Sequence, residues 1–269
     1  MIVELIGAPG AGKTTLVPAV AAHFVGLGLS ARTVVEAARP FARRTPAGAA
    51  AARLAPPPLA RALLWQLFYH TSTAYRLRFF ARHPRLVAYV LRSQRRRPIP
   101  AEERRHASHW FFVLTGQYEF LRAHARPGEW LIYDEGFAHR AVQLHASSDE
   151  TPDAGQVARY VGLLPRPDLL VAVRAPWQLC AERVYRRGLW ARFRHKGRAE
   201  VERYIRHAHR VVELALEPIR AGGWTLIEVD NGGADPAAPA AELRERLAAL
   251  GPWPAGGPRP RQLARGGLP

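Results

Sequence analysis

The chain has 269 residues, of which 48% are hydrophobic, which is enough for one sizeable α/β domain with an insertion or for a domain and a half. A single cysteine, Cys180, excludes an internal disulfide and a cysteine-based metal cluster, and it favours a reducing compartment. The formal net charge of +17 indicates an anionic partner such as nucleic acid, acidic lipid headgroups or a phosphorylated substrate.

The first predicted element is a strand over the apolar residues 2–6, and a phosphate-binding loop follows it directly. Residues 7–14 read Gly-Ala-Pro-Gly-Ala-Gly-Lys-Thr, a complete GxxxxGK[ST] pattern, and the apolar spacing after it predicts a helix over residues 13–27. In this arrangement the glycines turn backbone N–H groups towards phosphates, Lys13 reaches the β and γ oxygens, and the Thr14 hydroxyl ligates Mg²⁺. The sequence therefore predicts binding of a nucleoside triphosphate, with ATP and Mg²⁺ as cofactors.

The next part of the chain is rich in arginine. We predict a second strand over residues 31–35 that ends at Glu36, then a loop or loosely helical connection to residue 58, and then helices over 59–81, 86–96 and 101–125. No acidic residue lies between Glu36 and Glu102, and the basic residues in this interval are Arg39, Arg43, Arg44, Arg53, Arg61, Arg76, Arg78, Arg82, Arg85, Arg92, Arg95, Arg96 and Arg97.

This arginine-rich segment has three interpretations. In the first it enlarges an acceptor pocket, where Trp65, Tyr69, Tyr75 and Phe79 flank a substrate and arginines hold its anionic group. In the second its basic helices bind nucleic acid or an anionic membrane surface. In the third the aromatic side chains are core and the arginines are solvated.

The second half of the chain alternates strands and helices. Strands are predicted over residues 130–133, 168–174 and 224–229, and helices over 176–188, 198–220 and 237–250. The strand that ends at residue 133 is followed by Asp134 and Glu135, which presents carboxylates where a metal-orienting group is needed. We predict an α/β fold: a three-layer sandwich of a five-stranded parallel sheet with helices on both faces, right-handed crossovers and a helical arginine-rich insertion.

Three segments together resemble the nucleoside monophosphate kinase and deoxynucleoside kinase superfamily, above all its thymidylate-kinase-like members. They are the loop GAPGAGKTT, the segment over residues 130–140, and the stretch 181–188, which is similar to the helix that enters the family's lid. The resemblance covers about residues 1–36 and 105–245. It implies a P-loop kinase domain over residues 1–250, with residues 37–126 as insertion and acceptor region and 183–200 as lid; residues 251–269 are predicted to be a disordered tail.

The resemblance also implies roles for individual residues. Asp134 would orient Mg²⁺ together with Thr14, and Asn231 would contact adenine. Glu36 would accept the proton of an acceptor hydroxyl, with Glu135 as the other candidate for this base. Glu135 stands where many relatives have an arginine, so Arg140 would substitute in holding the acceptor, with Glu36, Arg39 and Glu135 beside it. The remaining assignments are the ATP-binding loop residues Gly7, Gly10, Ala11, Gly12, Lys13, Thr14 and Thr15. The lid candidates are Arg183, Arg186 and Arg187, with Arg192, Arg194 and Lys196 as further options.

The function expected from these features is an ATP-dependent phosphotransferase that acts on a small-molecule acceptor such as a nucleotide, a nucleoside or a similar metabolite. The alternative is a P-loop ATPase whose basic insertion binds nucleic acid or an anionic membrane surface. The chain begins on its first strand and contains no apolar run suited to a membrane span, so we expect no secretory signal and a cytoplasmic location. We also consider a second copy of the chain as a partner, in a homodimer.

Overall fold

A central parallel sheet organises the computed structural model, which describes residues 1–251 apart from the side chain of Arg192. The strand order is β2-β3-β1-β4-β5, so the predicted five-stranded parallel sheet is confirmed. Every residue of β1 and β3 is buried, as expected for strands covered on both faces. The strands are β1 (Ile2–Ile6), β2 (Ser30–Thr33), β3 (Glu129–Tyr133), β4 (Leu169–Arg174) and β5 (Leu226–Asp230).

The strand order fixes where a ligand binds. The chain leaves β1 towards β2 on one side of the sheet and later crosses back to β4 on the other side, so β1 lies at a topological switch point. Open parallel sheets bind their ligands in the crevice outside the carboxyl ends of the strands at such a point. We therefore expect a ligand-binding site at the carboxyl ends of β1, β3 and β4.

Helices cover both faces of the sheet. Right-handed crossovers put the helix after β1 on one face and the helices of the later crossovers on the other. The packing agrees, because α1 packs on α11, whereas α6, α8, α9 and α10 pack in a separate layer around α7. The helices are α1 (Lys13–Gly26), α2 (Val34–Ala42), α3 (Pro46–Leu54), α4 (Pro57–Arg82), α5 (Pro84–Arg96), α6 (Ala101–His124), α7 (Phe137–His145), α8 (Ala154–Val161), α9 (Trp177–Arg187), α10 (Arg198–Ala221) and α11 (Ala238–Ala249), with a short 3₁₀ helix at Ala191–Phe193.

The arginine-rich insertion is a set of helices packed on the main core. Its longest member, α4, lies along α6, and Phe68 and Phe79 of α4 are almost fully buried. The Phe79 ring stacks on Phe137 of α7 with ring centroids 5.0 Å apart. Phe79 is therefore core and not a substrate-facing side chain, whereas Trp65 and Tyr69 are 37% and 44% exposed on the outer face of α4. Among the described residues, no helix combines the length and apolar character needed to span a bilayer.

The structure corrects several predicted boundaries. The second strand ends at Thr33 and not at Val35, because Thr33 and Glu36 form a capping box that starts α2. Residues 37–58, predicted as loop or loosely helical, contain the rest of α2 and all of α3. The short helices α7 and α8 were not predicted, because helices of this length depend on tertiary packing more than on local propensity. The predicted disordered tail lies, from residue 252 onwards, outside the described residues.

Candidate active site

The phosphate loop joins β1 to α1 at the switch point and depends on glycine at two positions. Gly10 and Gly12 have φ angles of 83° and 96°, in the left-handed region that favours glycine. A Cβ atom at Gly10 would lie 2.3 Å from the carbonyl oxygen of Cys180, and one at Gly12 would lie 2.1 Å from Nδ2 of Asn231. The loop is thus held closely between α9 and the turn after β5.

Asn231, in the turn after β5, holds this loop through hydrogen bonds. Its side-chain amide donates to the carbonyl oxygen of Ala11 at 2.7 Å, and its backbone N–H donates to the carbonyl oxygen of Arg174 at 2.7 Å. Nη2 of Arg183 in turn donates to the carbonyl oxygen of Asn231 at 3.0 Å. Asn231 therefore positions the loop, while the adenine contact implied by the resemblance stays a prediction.

Lys13 is a buried cation at the base of the loop. Its Nζ donates to the carbonyl oxygens of Gly7 at 2.9 Å and Ala8 at 3.3 Å. Burial lowers its pKa to about 8, against the opposing attraction of the nearby Glu135 and Asp134 carboxylates. The ammonium group is therefore poorly solvated and ready to bind an anion.

Lys13 lines a cavity of about 280 Å³ at the carboxyl end of the sheet. Such a volume is at the small end for ligand pockets and suits phosphate groups better than a whole nucleotide with its acceptor. The cavity brings together predicted residues from the loop, β3 and α9, and adds residues from α7 and α10. Its walls are Pro9, Gly10, Gly12, Lys13, Thr14, Thr15, Glu135, His139, Val142, Gln143, Arg183, Arg187, Trp190 and Tyr204.

A polar network surrounds the Glu135 carboxylate on one wall. Nη1 of Arg140 lies 3.2 Å from Oε2 of Glu135, Nε2 of Gln143 lies 3.5 Å from the same oxygen, and Nε2 of His139 lies 3.7 Å from Oε1. Burial keeps the pKa of His139 well below its usual value, so the imidazole is neutral. His139 and Gln143 were not predicted from the sequence, although they are four residues apart, a spacing that brings side chains to one side of a helix.

Two arginines of α9 lie at the same cavity as the phosphate loop, and their role in a lid stays a prediction. Arg183 and Arg187 both line the cavity, and Nη1 of Arg183 is buried without a hydrogen-bond partner among the described residues. The guanidinium of Arg187 lies 5.5 Å from the centre of the Trp190 ring. Two of the other lid options are engaged elsewhere, because Arg186 pairs with Glu182 at 2.6 Å and Lys196 pairs with Glu200 at 2.6 Å.

Several predicted residues lie away from this cavity. Oε2 of Glu36 accepts from the backbone N–H of Thr33 at 2.8 Å and from its hydroxyl at 2.9 Å, so the carboxylate is used in capping α2. Arg39 lines a different cavity, formed by α2 and α4. Asp134 is exposed and does not line the cavity walls, but it acts electrostatically on Lys13. The base role of Glu36 and the acceptor role of Arg39 stay predictions that the geometry does not favour.

Glu4 has a buried carboxyl group next to the turn that carries Glu135. This residue was not predicted from the sequence. It lies on β1 with 1% exposure, its Oε2 accepts from the backbone N–H of Ala138 at 2.8 Å, and its Oε1 has no partner among the described residues. Burial raises its pKa to about 7. A Cβ atom at Gly136 would lie 2.3 Å from Cδ of Glu4, so this contact fixes the turn that carries Glu135. An acidic residue inside an otherwise apolar strand was the signal in the sequence.

The oxygen ligands at the site fit magnesium better than a metal bound by protein alone. Thr14 contributes an exposed hydroxyl on the cavity wall, and Asp134 and Glu135 contribute carboxylates at the end of β3. Among residues 1–251, no group of three or more histidine, cysteine, aspartate or glutamate side chains could hold a metal ion. Mg²⁺ is commonly bound by one or two carboxylates together with substrate phosphates and water. Binding of Mg²⁺ by Thr14 and Asp134 therefore stays a prediction, for which a hydroxyl and a carboxylate are chemically suited.

Comparisons with known proteins give structural similarity only. No protein-family model matches the chain, and a search of curated proteins gives no match either. The chain is similar to structures of deoxyadenosine kinase from M. mycoides: with bound dCTP (12% identity, TM-score 0.45) and with the products dCMP and a flexible dCDP (13% identity, TM-score 0.47), each alignment covering 93% of this chain and 100% of the other. The same enzyme with bound dATP aligns with 12% identity and a TM-score of 0.40 over 93% and 99% of the two chains.

Proposed function

We propose that the protein is an ATP-dependent phosphotransferase that moves the γ-phosphoryl group of MgATP to a small-molecule acceptor in the cytoplasm. The observation that carries this proposal is the composition of the cavity. A complete phosphate loop with a buried lysine lines it, and so do Arg183 and Arg187 of α9 and the carboxylate of Glu135. Phosphoryl transfer needs this combination of phosphate cradle, cations around the transferred group and an acid at the end of a neighbouring strand.

The cavity supports in-line transfer by positioning and charge neutralisation. The loop N–H groups and Lys13 would hold the β and γ phosphates, while Arg183 and Arg187 would neutralise charge that develops on the transferred group. Thr14 and Asp134 would hold Mg²⁺, which would supply further neutralisation of the phosphate charge. A cation placed in this way is worth roughly 10³ to 10⁵ in rate in related chemistry.

Glu135 is the better candidate for the proton acceptor when the acceptor group is an alcohol. It lines the cavity and faces Lys13, whereas Glu36 is held in the capping box at the start of α2. Arg140 is buried beside Glu135, and its hydrogen bond to Oε2 would orient this carboxylate. A phosphate acceptor is already ionised and needs no base, so the role of Glu135 depends on the acceptor class.

The alternative, a P-loop ATPase whose insertion binds a polyanion, is favoured by one observation. A cavity of about 550 Å³ between α2 and α4 is lined by Arg39, Arg43, Arg44, Arg61 and Arg126 together with Pro40 and Leu64. Of these arginines only Arg44 forms an ion pair among the described residues, with Glu129. The outer face of α4 beside it exposes Leu63 and Trp65. This surface would suit nucleic acid or an anionic membrane.

An ATP-consumption screen distinguishes the two functions. Purified protein is incubated with MgATP and, separately, with nucleosides, nucleoside monophosphates, sugars and aminoglycosides, and with duplex DNA, RNA or anionic liposomes; Lys13→Ala serves as the blank. We expect one small-molecule class to stimulate ATP consumption and to appear as a phosphorylated product by mass spectrometry. Consumption that rises only with nucleic acid or liposomes would instead support the polyanion-dependent ATPase.

The lowered pKa of Lys13 predicts that MgATP binding takes up protons above pH 8. In the free protein the side chain is increasingly neutral above its pKa of about 8, and phosphate oxygens next to Nζ favour the protonated form. Calorimetric titration at pH 8.5 in buffers of different ionisation enthalpy measures the proton uptake directly. We expect roughly half a proton or more to be bound per site.

Lys13→Arg is the matched control for this proton uptake, because a guanidinium stays charged throughout this pH range. This variant should bind MgATP without the buffer-dependent part of the heat. Equal proton uptake by the variant and the wild type would show that another group titrates on binding.

A further inference from the structure

A cavity separate from the two described above lies between α5 and α8. It has a volume of about 780 Å³ and shares no lining residue with the cavity at the phosphate loop. Arg85, Arg92 and Arg96 line it from α5, and Arg159 lines it from α8. Spacings of seven and four residues put the three α5 arginines on one face of that helix. Within residues 1–251, none of these four guanidinium groups forms an ion pair, so their positive charge is not neutralised by a neighbouring carboxylate.

A buried arginine, Arg97, also lines this cavity. Arg97 is 6% exposed, its Nε lies 3.0 Å from Oε2 of Glu150, and its Nη1 donates to the carbonyl oxygen of Leu144 at 2.5 Å. Its Nη2 is buried and has no hydrogen-bond partner among the described residues. A buried guanidinium nitrogen without an acceptor is costly unless a ligand or water supplies one. Arg97 therefore adds a buried cation with one unsatisfied donor to the lining of this cavity.

Two further features narrow the chemistry of that ligand. Tyr89, half-buried on α5, presents its ring at the wall and donates its hydroxyl to the carbonyl oxygen of Gln156 at 2.8 Å. Glu150 and Asp153 also line the cavity and accept hydrogen bonds only. The lining thus offers cations for a phosphate, acceptors for hydroxyl or amino groups, and an aromatic surface for a ring.

We propose that this cavity is a second binding site, separate from the phosphate loop, for a small phosphorylated metabolite of nucleotide size. Its phosphate contacts the arginines of α5 and α8, its hydroxyl or amino groups contact Glu150 and Asp153, and its ring packs on Tyr89. The volume lies within the usual range of small-molecule sites. A nucleic acid is a poorer fit, because the two carboxylates would repel a continuous phosphate backbone.

Calorimetric titration of the full chain with adenosine 5′-monophosphate as the probe tests this site. The informative variant is the double substitution Arg92→Ala/Arg96→Ala, and the matched control is Arg95→Ala, which removes an exposed arginine of the same helix that does not line the cavity. Binding at the phosphate loop is common to all three proteins, so differences between them report on the second cavity. We expect Arg95→Ala to bind as the wild type does, and the double variant to lose at least about tenfold in affinity for this second binding event.

Three results would overturn the proposal. The first is equal affinity of the double variant and Arg95→Ala, with both folded by circular dichroism. The second is the absence of any binding event that the double substitution weakens. The third is displacement of the probe by a single-stranded oligonucleotide that binds more tightly and with a steep salt dependence, which would identify a nucleic-acid surface. Loss of ATP turnover in Lys13→Ala has no bearing on this site, so the two proposals fail independently.

Discussion

Lys13→Ala is expected to reduce phosphoryl transfer by about 10²–10³-fold, the usual loss when one preorganised cationic or hydrogen-bond donor is removed from a transition state. Nζ of Lys13 lies inside the phosphate loop, held by the carbonyl oxygens of Gly7 and Ala8, and faces the cavity. Alanine leaves the left-handed glycines and the Asn231 contact in place. Removing a buried cation whose pKa is already lowered to about 8 also relieves a desolvation cost. Activity should therefore fall with little loss of stability.

The measurement pairs kcat and KM for ATP with a thermal melt of the same samples. Arg244→Ala is the control, because it removes one positive charge from the exposed face of α11. We expect the control to match the wild type in both assays. Full turnover by Lys13→Ala would mean that the cavity at the phosphate loop is not where ATP reacts. A melt that collapses together with activity would mean that Lys13 acts through the fold.

The phosphate loop and the sheet were predictable because their determinants are local. Apolar runs specify four of the five strands, and the GxxxxGK[ST] spacing places Gly12 and Lys13 without knowledge of distant residues. The left-handed conformation of Gly12 follows from the same pattern. Glu36 was predicted at the end of a strand because two β-branched residues, Val34 and Val35, favour strand conformation. It lies instead in the first turn of α2, because the capping box that begins at Thr33 overrides that preference.

The remaining parts of the site were not predictable, because they depend on long-range packing. His139 and Gln143 reach the cavity only because α7 packs against β1, and the helix carrying them is nine residues long. Arg183 contacts the turn at Asn231, 48 positions away in the sequence. In a chain with 39 basic residues, composition cannot distinguish such an arginine from a solvated one. Glu36 is engaged by Thr33 at the start of α2, and Arg186 is engaged by Glu182. Neither hydrogen bond could be predicted from the sequence.

Glu4→Gln is expected to remove a pH dependence from the stability of the fold. The carboxyl of Glu4 has a pKa of 4.5 when solvated and about 7 in the folded protein. Between these values the folded state keeps a proton that the unfolded state has lost, so the free energy of unfolding of the wild type falls as the pH rises from 5 to 8. The size of this fall is about 2–3 kcal/mol. Glutamine stays neutral, so its stability relative to the wild type should increase by that amount across the interval.

The difference between the two pH profiles is the informative quantity, because a constant cost of fitting the amide cancels. Urea unfolding at pH 5, 6, 7 and 8 supplies both profiles, and Glu245→Gln, at an exposed carboxylate without an ion pair among the described residues, should run parallel to the wild type. A Glu4→Gln profile that also runs parallel would mean that Glu4 is ionised throughout. The nearby Arg140 guanidinium and the Ala138 N–H would then offset the burial of its charge. In that case the carboxylate would cap the first turn of α7 as an anion, where the helix dipole favours negative charge.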